Sequence, residues 1–394
     1  MLSQLIAISA TNLRSLPQRW GASLVVVIGI AGVVGVMVSV LAMAYGFRQT
    51  FAKAGRPDRI IVLRAGDNTG GSSAITRDQV PTILGLPGLK KDADGKPLAS
   101  INKFYQTTLV ERKNGIESTC EMRGVGEKWP TVWPEVHVIE GRAFKTGLRE
   151  LMVGRGARAQ FQGLDVGSRV VVNDIPWEIV GAFEAGGAVF ESELWGDAEV
   201  ILTTHSMTGQ FSSMVGVLES DAAFDTFKKA LTTNPTLQHN VLTEPEFYAQ
   251  QSGLLGGLMQ TLGYVVASMM ALGALFSAVN TMFAAVKSRA VEIATLRAIG
   301  FRALPVLTSV LVESLALCVA GALLGGLLAY VVFNGYTVST ASFATFSQVS
   351  FAFRVSAALL VQGIVWAFVI GLAGGIWPAV RAARAPVAEA LRAA

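Results

Sequence analysis

The residues best equipped for chemistry are few and scattered. The three histidines, His137, His205 and His239, share no metal-ligand spacing. The two cysteines, Cys120 and Cys318, fall in contrasting surroundings, one in mixed polar sequence and one inside an apolar run, so no disulfide framework or metal cluster can be built from them. There is no G-x-S-x-G and no G-x-x-x-x-G-K-S/T, and Gly66 to Ser73 (G-D-N-T-G-G-S-S) lacks the spacing and the lysine of a phosphate loop. No catalytic, cofactor-binding or metal-binding constellation is expected. What remains is polar chemistry in apolar places. Glu313 is an acid inside a long apolar run, and Asn280 and Gln362 lie in two others. A carboxylate at mid-membrane must be paired or protonated. Glu313 therefore reads either as a satisfied helix-packing residue or as a hinge or dimer contact.

A second stretch has the chemistry of docking. Between two apolar runs stands A-V-K-S-R-A-V-E-I-A-T-L-R-A-I-G-F-R, Ala285 to Arg302. Ile293, Leu296 and Ile299 recur at roughly helical spacing and give an apolar ridge. Arg289, Glu292 and Arg297 flank it with charge, and Arg289 and Glu292, three apart, can pair on one face. Gly300 is a plausible stop.

These residues need elements to position them. The 394-residue chain is 52% hydrophobic and only 15% charged, with net charge +4. Its apolar residues are clustered, which marks a membrane protein rather than a soluble one. Gly21 to Gly46 carries no charge, and none occurs between Glu246 and Lys287. Four spans follow, at 21–46, 251–285 (the first part a stalk outside the membrane), 304–333 and 355–377, joined by a coupling helix at 286–303 and an outer loop at 334–354. Residues 1–20, with Arg14 and Arg19, read as an interfacial helix, and 378–394 as a tail. Ala42-Met43-Ala44 mimics a signal-peptidase site, but the apolar core before it is too long for a cleaved signal, so an uncleaved anchor is expected. Gly29, Gly32 and Gly35, and the pair Gly321 and Gly325, are candidate close-approach positions. The basic residues flank the spans. This reads as topology, with both termini and 286–303 cytoplasmic and 47–250 outside, and not as a nucleic-acid surface.

Residues 47–250 read as a mixed α+β domain. Arg59 to Arg64, Phe104 to Arg112, Glu117 to Val125, Ala198 to Leu202 and Val215 to Leu218 are expected strands, and Thr76 to Leu84 a short helix. Arg169 to Val180 is a hairpin turning at Asn173-Asp174. A helix capped by Ser220 carries Phe224, Phe227 and Leu231 on one face. The outer pieces, 58–135 and 213–245, suggest a βαβ-like unit with a β-rich insertion at about 136–212. Glu184 to Asp197 looks like an exposed loop whose Val189, Phe190, Leu194 and Trp195 either contact a partner or fold back on the core.

Several motifs carry a family resemblance. E-I-A-T-L-R-A-I-G-F (Glu292 to Phe301), L-V-E-S-L-A-L (Leu311 to Leu317) and W-P-A-V-R-A-A-R-A-P-V-A-E-A-L-R (Trp377 to Arg392) resemble the permeases of the MacB/FtsX/LolC–LolE type. I-E-G-R-A-F (Ile139 to Phe144), E-L-M-V-G (Glu150 to Gly154) and V-G-A-F (Val180 to Phe183) look like motifs of their outer domain. The resemblance implies a four-helix integral membrane protein of a bacterial inner membrane. Its periplasmic α+β domain would hold a porter-like α/β subdomain with an inserted, β-rich sabre-like subdomain. It further implies a non-catalytic permease subunit of an ABC transporter of the mechanotransmission type, exporting or extracting a substrate. ATP and magnesium would be bound by a separate ATPase gripping 286–303. The partners would be that ATPase, a second permease copy or similar chain, a periplasmic adaptor or membrane-fusion protein, and the lipid bilayer. The alternative is an FtsX-like regulator that switches a periplasmic enzyme and carries nothing.

Overall fold

A computed structural model describes residues 20–204, 209–299, 303–341 and 347–384. The expected interfacial segment 1–20 (apart from the backbone of Trp20), His205, the Gly300 stop, the side chain of Leu296 and the C-terminal motif beyond Arg384 lie outside the described residues. In chain order the elements are α1 (Trp20–Ala52), β1 (Arg59–Arg64), β2 (Ile75–Thr76), α2 (Gln79–Leu84), β3 (Ala99–Val110), β4 (Glu117–Val125) and α3 (Trp129–Val132). Then come β5 (His137–Gly141), β6 (Glu150–Gly154), α4 (Arg155–Gln160), β7 (Arg169–Val172), β8 (Ile175–Glu184), a 3-10 turn (Val189–Ser192), β9 (Glu193–Asp197) and α5 (Ala198–Thr204). The chain closes with β10 (Gln210–Phe211), β11 (Ser213–Val217), α6 (Ala223–Thr233), β12 (His239–Thr243), α7 (Glu244–Ser288), α8 (Ala290–Ala298), α9 (Ala303–Phe333), β13 (Thr337–Ala341), β14 (Gln348–Ala352) and α10 (Ala357–Arg384).

Two compact units result. The first holds the described residues of 1–44, 258–336 and 353–394. Four helices, α1, α7, α9 and α10, are long and apolar enough to cross a membrane. Their shared core is made of small and branched side chains: Val26, Ile30 and Val34 of α1, Ala271, Ala274 and Ala278 of α7, Cys318 and Ala322 of α9, and Ala367 and Ile370 of α10. A Cβ on Gly321 would meet the carbonyl oxygen of Val27 at 2.8 Å, and one on Gly325 would collide with the backbone of Ala31. Both glycines of the expected pair therefore let α9 approach the α1 backbone closely. Gly35 faces Gly325 across the same contact, whereas nothing lies near Gly29 or Gly32. Large apolar residues such as Met269, Phe276, Leu327 and Val331 point outward, as suits helices whose solvent is hydrocarbon.

The second unit holds the described residues of 45–257 and 337–352. Its ten-stranded sheet runs β12-β1-β11-β3-β4-β9-β6-β8-β5, with β7 on β8. Neighbours among the first four strands are antiparallel, so β1 runs parallel to β3 and β11 to β12. With α2 and α6 they form two interleaved β-α-β units, β1-α2-β3 and β11-α6-β12, in the split βαβ pattern. Their core contains Ile60, Val62, Met214, Phe227, Leu231 and Val241. The β-rich insertion begins earlier than 136. Asn102 of β3 pairs with Ser213 of β11, while Lys103 to Val110 pair with β4. One strand thus passes from one subdomain to the other, and β4 belongs to the insertion. The insertion's core is built on Cys120, Met122, Leu151, Val153, Trp177 and Leu194.

Some elements follow the sequence closely. The β7–β8 hairpin pairs Val172 with Ile175. Asn173 and Asp174 have φ of 48° and 63°, the left-handed pair of a type I′ turn that both residue types tolerate. Other elements do not. Ala198 to Leu202, read as a strand, begins helix α5, where Asp197 Oδ1 accepts from the backbone N–H of Glu199 at 2.8 Å. The outer loop 334–354 contains the β13–β14 hairpin, and the described residues of 337–352 belong to the second unit: Ser350 N–H donates to Ser192 Oγ at 2.9 Å, and Ser350 Oγ to Gln160 Oε1 at 3.0 Å.

The largest correction concerns Glu184 to Asp197. Val189, Phe190, Leu194 and Trp195 are buried, the last three completely. They do not form an exposed contact loop. Strand β9 is interior, parallel to β4 on one side and antiparallel to β6 on the other. All five residues of β9 are buried, the acids Glu193 and Asp197 at its ends included, so its sequence is neither an apolar run nor an alternation. Trp195 packs against Trp133, Phe183 and Phe190 with centroids at 5.4, 5.1 and 5.6 Å. The turn before it is fastened by Glu191, whose Oε1 accepts from the N–H groups of Ala185 and Gly187. Trp195→Ala should therefore cost about 3–5 kcal/mol of stability by cavity formation. Limited proteolysis of the membrane-embedded chain should show earlier cleavage within 45–257 than in the parent; equal resistance would mean that Trp195 is not a core residue.

Candidate functional site

The docking stretch is built around one residue that is not helical. Helix α7 ends at Ser288, whose hydroxyl donates to Ala285 O at 2.9 Å. Arg289 follows with φ −107° and ψ 13°, and α8 starts at Ala290. The expected single coupling helix is therefore broken into the last turn of α7 and the separate α8. No glycine or proline marks the break. Its cause is visible in the side chain: Arg289 turns inward, 7% exposed, and Nη1 donates to Glu313 Oε2 at 3.0 Å, with Glu313 equally buried. The sequence pairs Arg289 with Glu292; the structure gives it Glu313, on α9.

The pair closes one wall of a cavity of about 30 Å³ lined also by Met282, Val286, Ile293 and Val310. That is room for about one water molecule. The expected ridge divides here. Ile293 is half-buried and packs on the cluster of Met282, Val306, Val310 and Ala379. Ile299 stands 72% exposed at the end of α8, Val291 and Glu292 are also exposed, and Arg297 is half-buried. The outer face of α8 thus offers two apolar side chains and an acid.

The other polar residues in the apolar helices divide similarly. Gln362 is half-buried and donates to the Tyr264 hydroxyl at 2.9 Å, linking α10 to α7. Asn280 is exposed. Ser314, beside Glu313, donates to Gly371 O at 2.9 Å and joins α9 to α10. Sequence reading missed Tyr264 and Ser314; a hydroxyl in an apolar run was the available signal, since such groups hydrogen-bond across membrane helices.

The second unit has its own buried charges. Arg59 Nε donates to Glu244 Oε2 at 2.5 Å, with both side chains fully buried. Trp133 Nε1 donates to the other oxygen of Glu244 at 3.4 Å. Because Glu244 is the first residue of α7, this pair fixes that end of the helix to β1. Arg123 and Glu193 form a two-pronged pair at 2.6 Å, and Trp195 Nε1 donates to Glu193 Oε2 at 2.8 Å. Glu121 is buried beside them and accepts from Ser347 Oγ at 3.4 Å. Burial first, and then the charge of Glu193, push the Glu121 carboxyl well above the usual carboxylate range. Among the described residues, no group of His, Cys, Asp and Glu side chains is placed to hold a metal ion.

Comparison with known proteins bears on what this arrangement serves. The profile of the MacB-like periplasmic core domain matches residues 22–234. That of the FtsX-like permease C-terminal domain matches 264–387. The chain is 25% identical over 408 aligned positions to the macrolide export ATP-binding/permease protein MacB of Azoarcus sp. (strain BH72), covering 97% of this chain and 59% of that protein. It is 23% identical to the protein of that name from Bordetella avium (strain 197N), covering 98% of this chain and again 59% of the relative. The chain thus spans under two thirds of the length of these relatives. The periplasmic region of MacB from Actinobacillus actinomycetemcomitans superposes on half of this chain (50%) and 94% of its own, at 12% identity and a TM-score of 0.38. The extracellular domain of the ABC-type transporter YknZ from Gram-positive bacteria gives 47% and 99%, 16% identity and 0.36. Superpositions this partial carry no weight of their own.

Two predictions come from these pairs. Removing one partner of a buried ion pair leaves a stranded charge, at a cost of about 3–5 kcal/mol, whereas replacing both by apolar groups is close to neutral. Glu313→Leu alone should lower the melting temperature of the purified chain sharply, and Arg289→Met with Glu313→Leu should restore most of it. Additive losses in the double variant would mean that the two residues do not act as a pair. For Glu121, a folded-state pKa above the unfolded one means that the folded chain holds the extra proton, so its stabilising contribution is present at low pH and fades as pH rises from the ordinary carboxylate range through the raised value. Glu121→Gln should flatten the fall in stability on that alkaline side, read as melting temperature against pH; an unchanged slope would remove Glu121 as its source.

Proposed function

Because the chain belongs to the MacB/FtsX-type family of ABC transporter permeases, we propose that it is the permease subunit of a mechanotransmission complex in a bacterial inner membrane. In it, ATP hydrolysis by a partner ATPase moves the outer unit to export or extract a substrate. The observation that carries this reading is helix α7. It runs unbroken for 45 residues, about 67 Å at 1.5 Å per residue, roughly twice the ~30 Å hydrocarbon core. One end begins at the buried Arg59–Glu244 pair and the other stops at the Arg289–Glu313 pair. A continuous helix anchored at each end is stiff along its axis, and a push on α8 next to Arg289 has a short path into it. The exposed Ile299, Val291 and Glu292 supply what a partner needs: apolar area with a charge beside it.

Under this reading Arg289 positions α8, and Arg297 and Ile293 hold it while Ile299 and Glu292 meet the ATPase. ATP and magnesium would be held by that ATPase. Residues 286–303 and both termini would face the cytoplasm and the β-rich unit the periplasm, in line with the excess of basic residues in and around the docking stretch. A second copy of this chain, or a similar chain, would complete the assembly on a pair of ATPases, with a periplasmic adaptor as a further partner.

The test is co-purification. Ile299→Asp and, separately, Glu292→Lys alter exposed positions, so membrane insertion and yield should match the parent. Placing an unpaired charge in an interface costs several kcal/mol, so recovery of the cognate ATPase with the affinity-tagged chain should fall at least tenfold. Full recovery with both variants would show that α8 is not where the ATPase docks.

A further inference from the structure

The second unit contains a recess that the coupling reading does not use. It has a volume of about 460 Å³, within the range typical of small-molecule sites. Arg64, Thr76, Gln79, Gln210, Gln238 and His239 supply its polar lining. The fold brings them together at one edge of the sheet. Arg64, the last residue of β1, is the register partner of His239, the first of β12, so their side chains emerge on the same face. Thr76 and Gln210 are likewise register partners, in the small β2–β10 pair. Gln79 opens α2 and bridges the rim, its Nε2 donating to Thr236 O at 3.4 Å.

Two features make this more than a dent. Among the described residues no carboxylate lines the recess, although it contains an arginine. Arg64 is exposed, and among the described residues its guanidinium has no ion-pair partner within 4.0 Å. His239 is only 5% exposed, yet neither ring nitrogen has a hydrogen-bond partner among the described residues. An imidazole left in that state costs free energy that an apolar side chain of similar size would not. A fold keeps such a group where something else completes its bonding.

We propose that this recess binds a small oxyanion, a carboxylate or phosphate group, gripped by the guanidinium fork of Arg64 and by the ring of His239, with Thr76 and the three glutamines fixing its orientation. The guanidinium matches either group with two parallel hydrogen bonds. Burial and the neighbouring Arg64 charge hold the imidazole below its ordinary pKa. In either protonation state the ring carries at least one N–H donor for the anion. The amides and hydroxyls discriminate the remainder of the molecule, as a few placed polar groups do in small-ligand sites. The ligand is thus a polar, negatively charged solute small enough for the recess, and not a lipid tail or an aromatic drug.

The test needs no ATPase, so its failure is separate from failure of the coupling reading. The full chain in lipid nanodiscs is titrated calorimetrically at low ionic strength with inorganic phosphate, with citrate, and with glucose as the neutral control. Saturable binding of phosphate or of citrate is expected, and which of the two binds tells a phosphoryl site from a carboxylate site. Arg64→Gln, an exposed change, should weaken that binding at least tenfold. His239→Leu should also weaken it while melting no lower than the parent, because it removes an unsatisfied buried group. The proposal is overturned if neither anion binds at millimolar concentration, if binding survives both substitutions, if glucose binds equally well, or if His239→Leu melts far below the parent.

Discussion

A guanidinium out of reach of water must be given a carboxylate, and this structure meets that demand at the places where its elements change direction. Arg59–Glu244 stands at the start of α7 and Arg289–Glu313 just past its end, while Arg123–Glu193 ties β4 to β9 in the middle of the outer sheet. Such pairs contribute little net stability, because the desolvation of two ions nearly cancels their attraction. What they impose is position. Glu244 accepts from Arg59, from Trp133 and from the backbone N–H of Arg56, so the first turn of α7 can sit in only one place on β1. The remaining architecture fills in around points fixed in this way.

The two units reach compactness by different means. In the outer unit, water drives burial, and the core is correspondingly bulky: Trp133, Trp177, Trp195 and four phenylalanines from Phe161 to Phe211 are almost fully buried. Between apolar helices in a bilayer that force is absent, since lipid tails are as apolar as leucine. The helix contacts are accordingly made by Ala271, Ala274, Ala278, Ala322 and Ala367, and by Gly321 and Gly325 where backbones touch. Many of the large residues, such as Met269, Phe276 and Val331, go outward, and hydroxyl and amide groups such as Ser314 and Gln362 stitch neighbouring helices together.

Legibility in the sequence followed from how local each cause was. Apolar runs located the four long helices because length and composition suffice for that. The Asn173-Asp174 turn and the strand Arg59–Arg64 were readable because a turn needs particular residues and a buried strand needs an apolar run. The insertion boundary was not, because β3 changes partners in mid-strand with no turn residue to announce it. Nor was β9: Val189, Phe190, Leu194 and Trp195 among glycines and acids look the same whether a loop displays them or two strands enclose them. The partner of Arg289 lies 24 positions away, and no local rule could prefer it to Glu292. His239 looks isolated in the sequence for the same reason, since its neighbour Arg64 is brought to it only by sheet register.

The break at Arg289 also constrains how the docking stretch can move. Chain reversals between helices are commonly relieved by glycine, which leaves the joint free to bend. Here the joint is held by a buried arginine, and its freedom is set by Glu313. Shifting α8 relative to α9 by more than a hydrogen-bond length would leave a guanidinium and a carboxylate buried apart, at about 3–5 kcal/mol. The pair therefore resists separation of α8 from α9 at this point. In the coupling proposed above, force applied to Ile299 and Glu292 enters α9 through the ion pair as well as α7 through the adjoining turn. Ser314, one residue beyond Glu313, passes it on to α10 through Gly371. In that proposal, a pair that adds little to stability decides which helices a push on one short surface helix would set in motion.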